Sequence, residues 1–262
     1  LGARACDQSR LLGVRTGELH LALAKGNGSR EFATENFSLH YQRSLFSSAL
    51  ALVRESFHTM QNHKAAAGKE ERALIESFEG SRDEILALFK KIYSHKLDVV
   101  KIRIHGSLSL AQVLLTGRDV AIHDFGGVPS RSYSEARLKR SPFWDVGYIV
   151  RSFYYAAYEG FISSTHAKRE DVGTLFPYAD LWIHHMRGFY LRSYMNTIRG
   201  TSLLPAAPAD VEVMLKYFLL EKALVALNYE LVMRPERAII PLVMIRDILR
   251  PAIEPGGGDQ LA

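Results

Sequence analysis

The residues whose types and spacing could do chemistry lie in RIHGSLSLAQVLLTGRDVAIHDFGG, 103–127. Phosphoryl transfer of the kinase type needs three groups. A carboxylate orients and deprotonates the attacking hydroxyl. An amide or carboxylate five residues later holds a metal. An Asp at the end of the next hairpin holds a metal between the phosphates. Here His105 and Gly106 open such a loop, Gln112 stands five residues after position 107, and Asp124 begins Asp-Phe-Gly. Position 107 is Ser107, where the base Asp belongs. Spacing alone leaves open a chance arrangement around a structural hairpin.

These groups need elements to carry them. VVKIRIH, 99–105, alternates and is rich in β-branched residues, so it predicts a strand. VLLTGRDVAIHDF, 113–125, predicts a hairpin around Thr-Gly-Arg-Asp. Helical spacing predicts helices over 5–25, 38–62 and 70–96 before this β element. Their apolar faces are Leu12, Thr16, Leu19 and Leu23; Phe46, Ala49, Leu50, Val53 and Phe57; and Ile85, Leu88, Phe89 and Ile92. Helices resume over 142–161, 169–199, 208–231 and 236–249. The class is α+β, predominantly α-helical, with a small central β-hairpin. PAIEPGGGDQLA, 251–262, is expected to be a flexible tail.

Composition excludes several function classes. The chain has 262 residues, 47% hydrophobic and 23% charged, enough apolar material for a sizeable core. Its net charge of +5 is spread along the chain and not clustered, so no nucleic-acid partner is expected. No run of about 18 apolar residues exists, so no membrane span is expected. The lone Cys6 cannot form an internal disulfide, which points to a reducing, cytoplasmic setting. His184 and His185 lack the i, i+4 spacing of a helical zinc site. SFYYAAYEGF, 152–161, has the spacing of core aromatics, and Glu221–Lys222 could form an internal ion pair.

Longer stretches carry a resemblance. RIHGSLSLAQVL is similar to the pattern R-I-H-G-D-Y-H-L-G-Q-V-L, and HDFGGVP to I-D-F-E-G-E-P. ARLKRSPFWDVGYIVRSFYYAA, LLGVRTGELHLALA, YQRSLFSSALALVR and LLEKALVALNYELVMRPERAIIPL follow further patterns of the same set. The last matches L-L-E-K-A-x-Y-E-L-x-Y-E-L-x-N-R-P. Together they cover nearly the whole chain. It resembles the C-terminal lobe of bacterial maltokinases, including those linked to trehalose synthase. The resemblance implies a protein-kinase-like fold of the aminoglycoside-phosphotransferase type. Residues 1–250 would form its C-lobe, with the catalytic-loop hairpin at 99–128. It also implies ATP, Mg²⁺ and maltose or a related sugar, with maltose 1-phosphate as product. A trehalose synthase domain is the implied protein partner.

Against those patterns the site is depleted. Ser107 replaces the base Asp, Ser109 replaces a His, and Gly126 and Val128 replace two Glu residues. A serine hydroxyl does not accept a proton near pH 7, and losing the base costs about 10²–10⁴ in rate. Gln112 and Asp124 remain as metal ligands. Asp145 is either a structural or sugar-site carboxylate beneath the loop, or a helix-start Asp behind Ser141-Pro142. The sequence contains no Gly-rich phosphate loop and no V-A-I-K strand, so the N-lobe is expected to lie outside it. Two functions follow: a catalytically degenerate maltokinase-type domain, or a non-catalytic kinase-like module that binds a sugar or a trehalose synthase.

Overall fold

A computed structural model describes residues 2–26, 28–63, 69–126, 132–162 and 172–250. The expected tail at 251–262 and Val128 lie outside these. The frame is helical: α1 (Ala3–Ala24), α2 (Leu39–His63), α3 (Lys69–Gly80), α4 (Arg82–Lys90), α5 (Tyr133–Ala136), α6 (Phe143–Ile162), α7 (Val172–Thr197), α8 (Pro208–Met233) and α9 (Ile239–Leu249). The strands are short: β1 (Glu35–Asn36) pairs antiparallel with β2 (Val100–Lys101), and β3 (Val113–Thr116) with β4 (Asp119–Ile122). No described helix is long and apolar enough to cross a membrane.

Helix α8 runs through the middle of the bundle. It packs on α2, α6 and α9. Met214, Phe218, Leu220, Leu224 and Leu227 are all buried, so its apolar residues wrap around the helix and not along one stripe, as burial on several sides requires. Gln42 of α2 fixes the far end of the bundle. Its side-chain amide donates to the carbonyls of Ile92 (2.6 Å) and His95 (2.7 Å) and accepts from the Leu97 amide (3.2 Å).

Three elements differ from what periodicity predicts. The helix expected over 70–96 is two helices and a 3₁₀ turn, Lys91–Tyr93. The break is at Gly80-Ser81, where the Ser81 hydroxyl turns back to the Phe78 carbonyl at 2.7 Å. The bend lets Phe78 stack on Phe57 (4.3 Å) while Ile85 and Phe89 stay buried. The strand expected over 99–105 is paired only at Val100–Lys101, with one further bridge from Ile102 to Arg140, because its partner β1 is two residues long. The hairpin matches expectation. Thr116 faces Asp119 across a two-residue loop, and Gly117 has the positive φ (69°) that primed hairpin turns need.

The third difference is the face of α1. Leu12 and Thr16 are buried as expected, but their neighbours inside are Ser9, Gly13, Gly17 and His20. Leu19 and Leu23 are only half-buried. Small residues let α1 lie close against α7. The Ser9 hydroxyl donates to the Met186 carbonyl at 2.7 Å. A Cβ at Gly13 would fall 2.3 Å from the Tyr190 carbonyl oxygen, so the missing side chain is what admits that backbone. Gly13→Ala should therefore lower unfolding free energy by about 1–3 kcal/mol in urea titrations. Gly188→Ala, an exposed helical site with open space around it, should be neutral or stabilising by up to about 1 kcal/mol.

Candidate functional site

The loop 103–109 is held from beneath by one carboxylate. Asp145 lies in the first turn of α6, a helix started by Pro142 and by the Ser141 hydroxyl, which accepts from the Phe143 amide at 3.3 Å. Asp145 is fully buried. Its Oδ2 accepts the His105 amide and its Oδ1 the Gly106 amide, both at 2.8 Å. The same Oδ2 meets His20 Nε2 at 3.2 Å, and His20 Nδ1 meets the Tyr194 hydroxyl at 2.9 Å. His20 comes from α1 and Tyr194 from α7, so the close packing of those helices places the imidazole under the loop. Burial pushes the Tyr194 phenol well above its ordinary value, which keeps it a hydrogen-bond donor.

This position decides between the two readings of Asp145. It is the structural carboxylate below the loop, not an exposed helix cap. It is not among the residues lining the cleft, and both its oxygens accept backbone amides.

The loop is braced from two further sides. Gly106 turns with φ at 92°, and its carbonyl accepts the Trp144 indole N–H at 3.2 Å. Lys222 lies over the Trp144 ring, 2.9 Å from its centroid, and pairs with Glu221 at 2.6 Å. The expected Glu221–Lys222 ion pair is thus formed. His105 points its Nε2 to the His123 carbonyl (2.8 Å), which fixes the proton there and leaves Nδ1 to accept the Ser107 amide at 3.4 Å. His105 is therefore a brace between loop and hairpin.

Ser107, Ser109, Gln112, Asp124 and Gly126 line one cleft of about 1000 Å³. The structure thus brings these sequence-predicted positions together. Their details matter. Ser109 and Gln112 form a reciprocal cap on the 3₁₀ turn Leu110–Gln112. The Gln112 side-chain oxygen accepts from the Ser109 hydroxyl (2.6 Å) and amide (3.2 Å), so both its lone-pair directions are used. Asp124 is exposed and has φ at 64°, the one positive value among described non-glycine residues. Asp is one of the few side chains that tolerate this region.

The opposite wall carries residues that motif spacing did not single out. Tyr148, Ser152, Tyr155 and Glu159 follow one another along one face of α6. Their i, i+4, i+7, i+11 spacing in an otherwise apolar helix was the available signal. The Ser152 hydroxyl accepts the Leu110 amide at 3.2 Å. The Tyr155 hydroxyl donates to Glu230 at 2.7 Å, and Arg234 grips the same carboxylate at 2.7 and 2.9 Å. Burial first, then the Glu230 hydrogen bond, raises the Tyr155 phenol above its ordinary value. Arg151 does not meet Asp145; it lies over the Tyr148 and Tyr155 rings at 4.7 and 5.9 Å. Val225 and Ala226, where the Y-E of the last pattern falls, also line this wall. Of the other aromatics of 152–161, Phe153, Tyr154 and Tyr158 are core, as expected, and the Phe161 side chain lies outside the described residues.

No protein-family model matches the sequence. Solved structures do match. A glucosamine kinase in crystal form B superposes with a TM-score of 0.71 at 15% identity, over 92% of this chain and 53% of that one. Crystal form A gives 0.63 at 16% identity, with the same coverage. A glucosamine kinase in complex with glucosamine, ADP and inorganic phosphate gives 0.67 at 16%, over 92% and 51%. The fold is similar to that of these glucosamine kinases. The chain spans about half the length of these sugar kinases, and at such identities the likeness is one of fold.

Within this fold, the geometry assigns the loop's shape to Asp145 and leaves Ser107 free of that duty. Asp145→Ala would strand a buried and a part-buried backbone amide and should cost about 2–4 kcal/mol of stability in chemical denaturation. Ser107→Ala should stay within about 0.5 kcal/mol of the parent in the same measurement.

Proposed function

We propose that residues 1–250 are the catalytic-loop lobe of a maltokinase-type sugar phosphotransferase whose own chemistry has been largely lost. The observation that carries the reading is Ser107 at the base position, in a cleft that retains Asp124. The likeness to glucosamine kinases supports a sugar-kinase lineage, and one of those structures holds glucosamine, ADP and phosphate. The sequence resemblance favours maltose as the ancestral acceptor, ATP as the donor and trehalose synthase as the associated protein.

The residues present fit Mg²⁺ only in part. Asp124 offers an exposed carboxylate at the cleft, and Mg²⁺ commonly takes one or two carboxylates plus phosphate oxygens. Gln112 would have to release Ser109 before its oxygen could serve. Bound there, the ion would neutralise phosphate charge. Ser107 can hydrogen-bond a sugar hydroxyl but has no basicity to remove its proton. Tyr155, Glu230 and Arg234 form a linked polar wall suited to sugar hydroxyls.

A second reading, a non-catalytic sugar-binding or interaction module, is favoured by that same wall, since it is formed whether or not a base is present. The two readings separate by transfer and binding measurements on the 262-residue chain. Transfer of labelled phosphate from Mg·ATP to maltose should stay at background. Turnover near about 1–100 s⁻¹, the ordinary kinase range, would sink the degenerate reading. Calorimetry should find weak ADP binding that Mg²⁺ strengthens, and Asp124→Asn should remove the Mg²⁺ effect. Sugar binding with no nucleotide affinity at all would favour the module.

A further inference from the structure

A second cleft, of about 450 Å³, shares no lining residue with the first. Three short segments build it. Glu31 and Glu35 precede α2. Lys101 and Arg103 lie on the chain entering the loop. Arg137, Lys139 and Arg140 precede α6. The segments are tied by the β1–β2 pairing and by reciprocal backbone bonds between Ile102 and Arg140, at 3.0 and 2.9 Å. Five cations thus face two carboxylates, an excess of three positive charges in a small volume.

The charges differ in how firmly they are held. The side chains of Lys101 and Lys139 are 14% and 11% exposed, while that of Glu35 is 50% exposed. Lys101 lies over the Tyr41 ring at 4.5 Å, and Lys139 donates to the Arg30 carbonyl at 3.2 Å. Glu35 bridges the two ammonium groups, at 2.9 Å from Lys101 and 3.1 Å from Lys139. The Lys101 hydrogen bond holds its carboxyl below the ordinary value. Glu31 pairs with Arg137. Arg103 and Arg140 have no carboxylate partner among the described residues. Arg103 donates to the Arg137 carbonyl (3.2 Å), and Arg140 lies over Trp144 (4.4 Å). The buried Tyr41 hydroxyl finds no hydrogen-bond acceptor among the described residues, and burial pushes it up to about 12, so it stays a donor.

We propose that this cleft binds a phosphate-bearing small molecule, with Glu35 as the resident anion that the ligand displaces. A paired-ammonium seat already occupied by one carboxylate is shaped for an oxyanion. A phosphate monoester carries nearly two charges near neutral pH and three acceptor oxygens, which suits two lysines and added guanidinium forks better than one carboxylate does. Displacement sends Glu35, an already half-exposed side chain, into water. The volume accommodates a phosphorylated monosaccharide.

The test titrates inorganic phosphate, glucose 1-phosphate, glutamate and poly-glutamate into the 262-residue chain at low salt, with calorimetric readout. Saturable binding of a phosphate compound, and little of glutamate, is expected. Glu35→Gln, a change at an exposed side chain, should tighten it several-fold. Lys139→Ala and Arg103→Ala should each weaken it by about tenfold, with circular dichroism matching the parent. Tighter binding of inorganic phosphate than of the sugar phosphate would identify the free ion as ligand; the reverse order identifies the ester. The proposal is overturned if neither the parent nor Glu35→Gln binds phosphate compounds. It is equally overturned if Lys139→Ala and Arg103→Ala leave binding unchanged, or if poly-glutamate binds and phosphate does not, which would make the surface a protein-docking one.

Discussion

A single buried carboxylate sets the geometry of the central loop. Asp145 takes two successive backbone amides, those of His105 and Gly106, and so fixes both position and orientation of the turn. A buried charge persists only where hydrogen bonds satisfy it. Here they come from the loop above and from His20 to one side. His20 depends in turn on Tyr194, and the approach of α1 to α7 depends on Gly13 and Gly17 lacking side chains. Helix packing and loop shape are therefore parts of one arrangement.

Scaffold and chemistry are carried by different atoms. The scaffold is read through backbone amides, through the Gly106 carbonyl and through His105, which links loop to hairpin. The chemistry would be carried by side chains at 107, 112 and 124. Ser107 therefore sits in an undamaged loop. Gln112 takes Ser109 as its local partner and caps a 3₁₀ turn. The basic cleft lies on the chain that leads into this loop, two residues ahead of His105 at Arg103.

Most of the frame was legible in the sequence because its signals are local. Apolar spacing marked the long helices, and Gly117 between alternating residues marked the hairpin. The gathering of Ser107, Gln112 and Asp124 followed from spacing along one loop and one turn. What was not legible depends on partners far away in the chain. The face of α1 reads as a leucine stripe until α7 demands small residues at Gly13 and Gly17. The break at Ser81 serves the stacking of Phe78 on Phe57, twenty-one residues earlier. Tyr155 looks like its core neighbours Tyr154 and Tyr158, and only the presence of Glu230 on α8 marks it as polar wall. The basic cleft joins three segments whose charges appear scattered in one dimension.

The left-handed backbone at Asp124 sorts what evolution can try at each position of the site. A φ of 64° suits Gly, Asn and Asp and strains most other side chains, so that position draws on a very small alphabet. Ser107 has no such backbone, and the loop beneath it is anchored without its help. Random substitution can thus move through 107 unopposed by the fold, while the same drift at 124 meets a conformational filter. Such unequal filtering would make the carboxylate at 124 more durable than any side chain at 107.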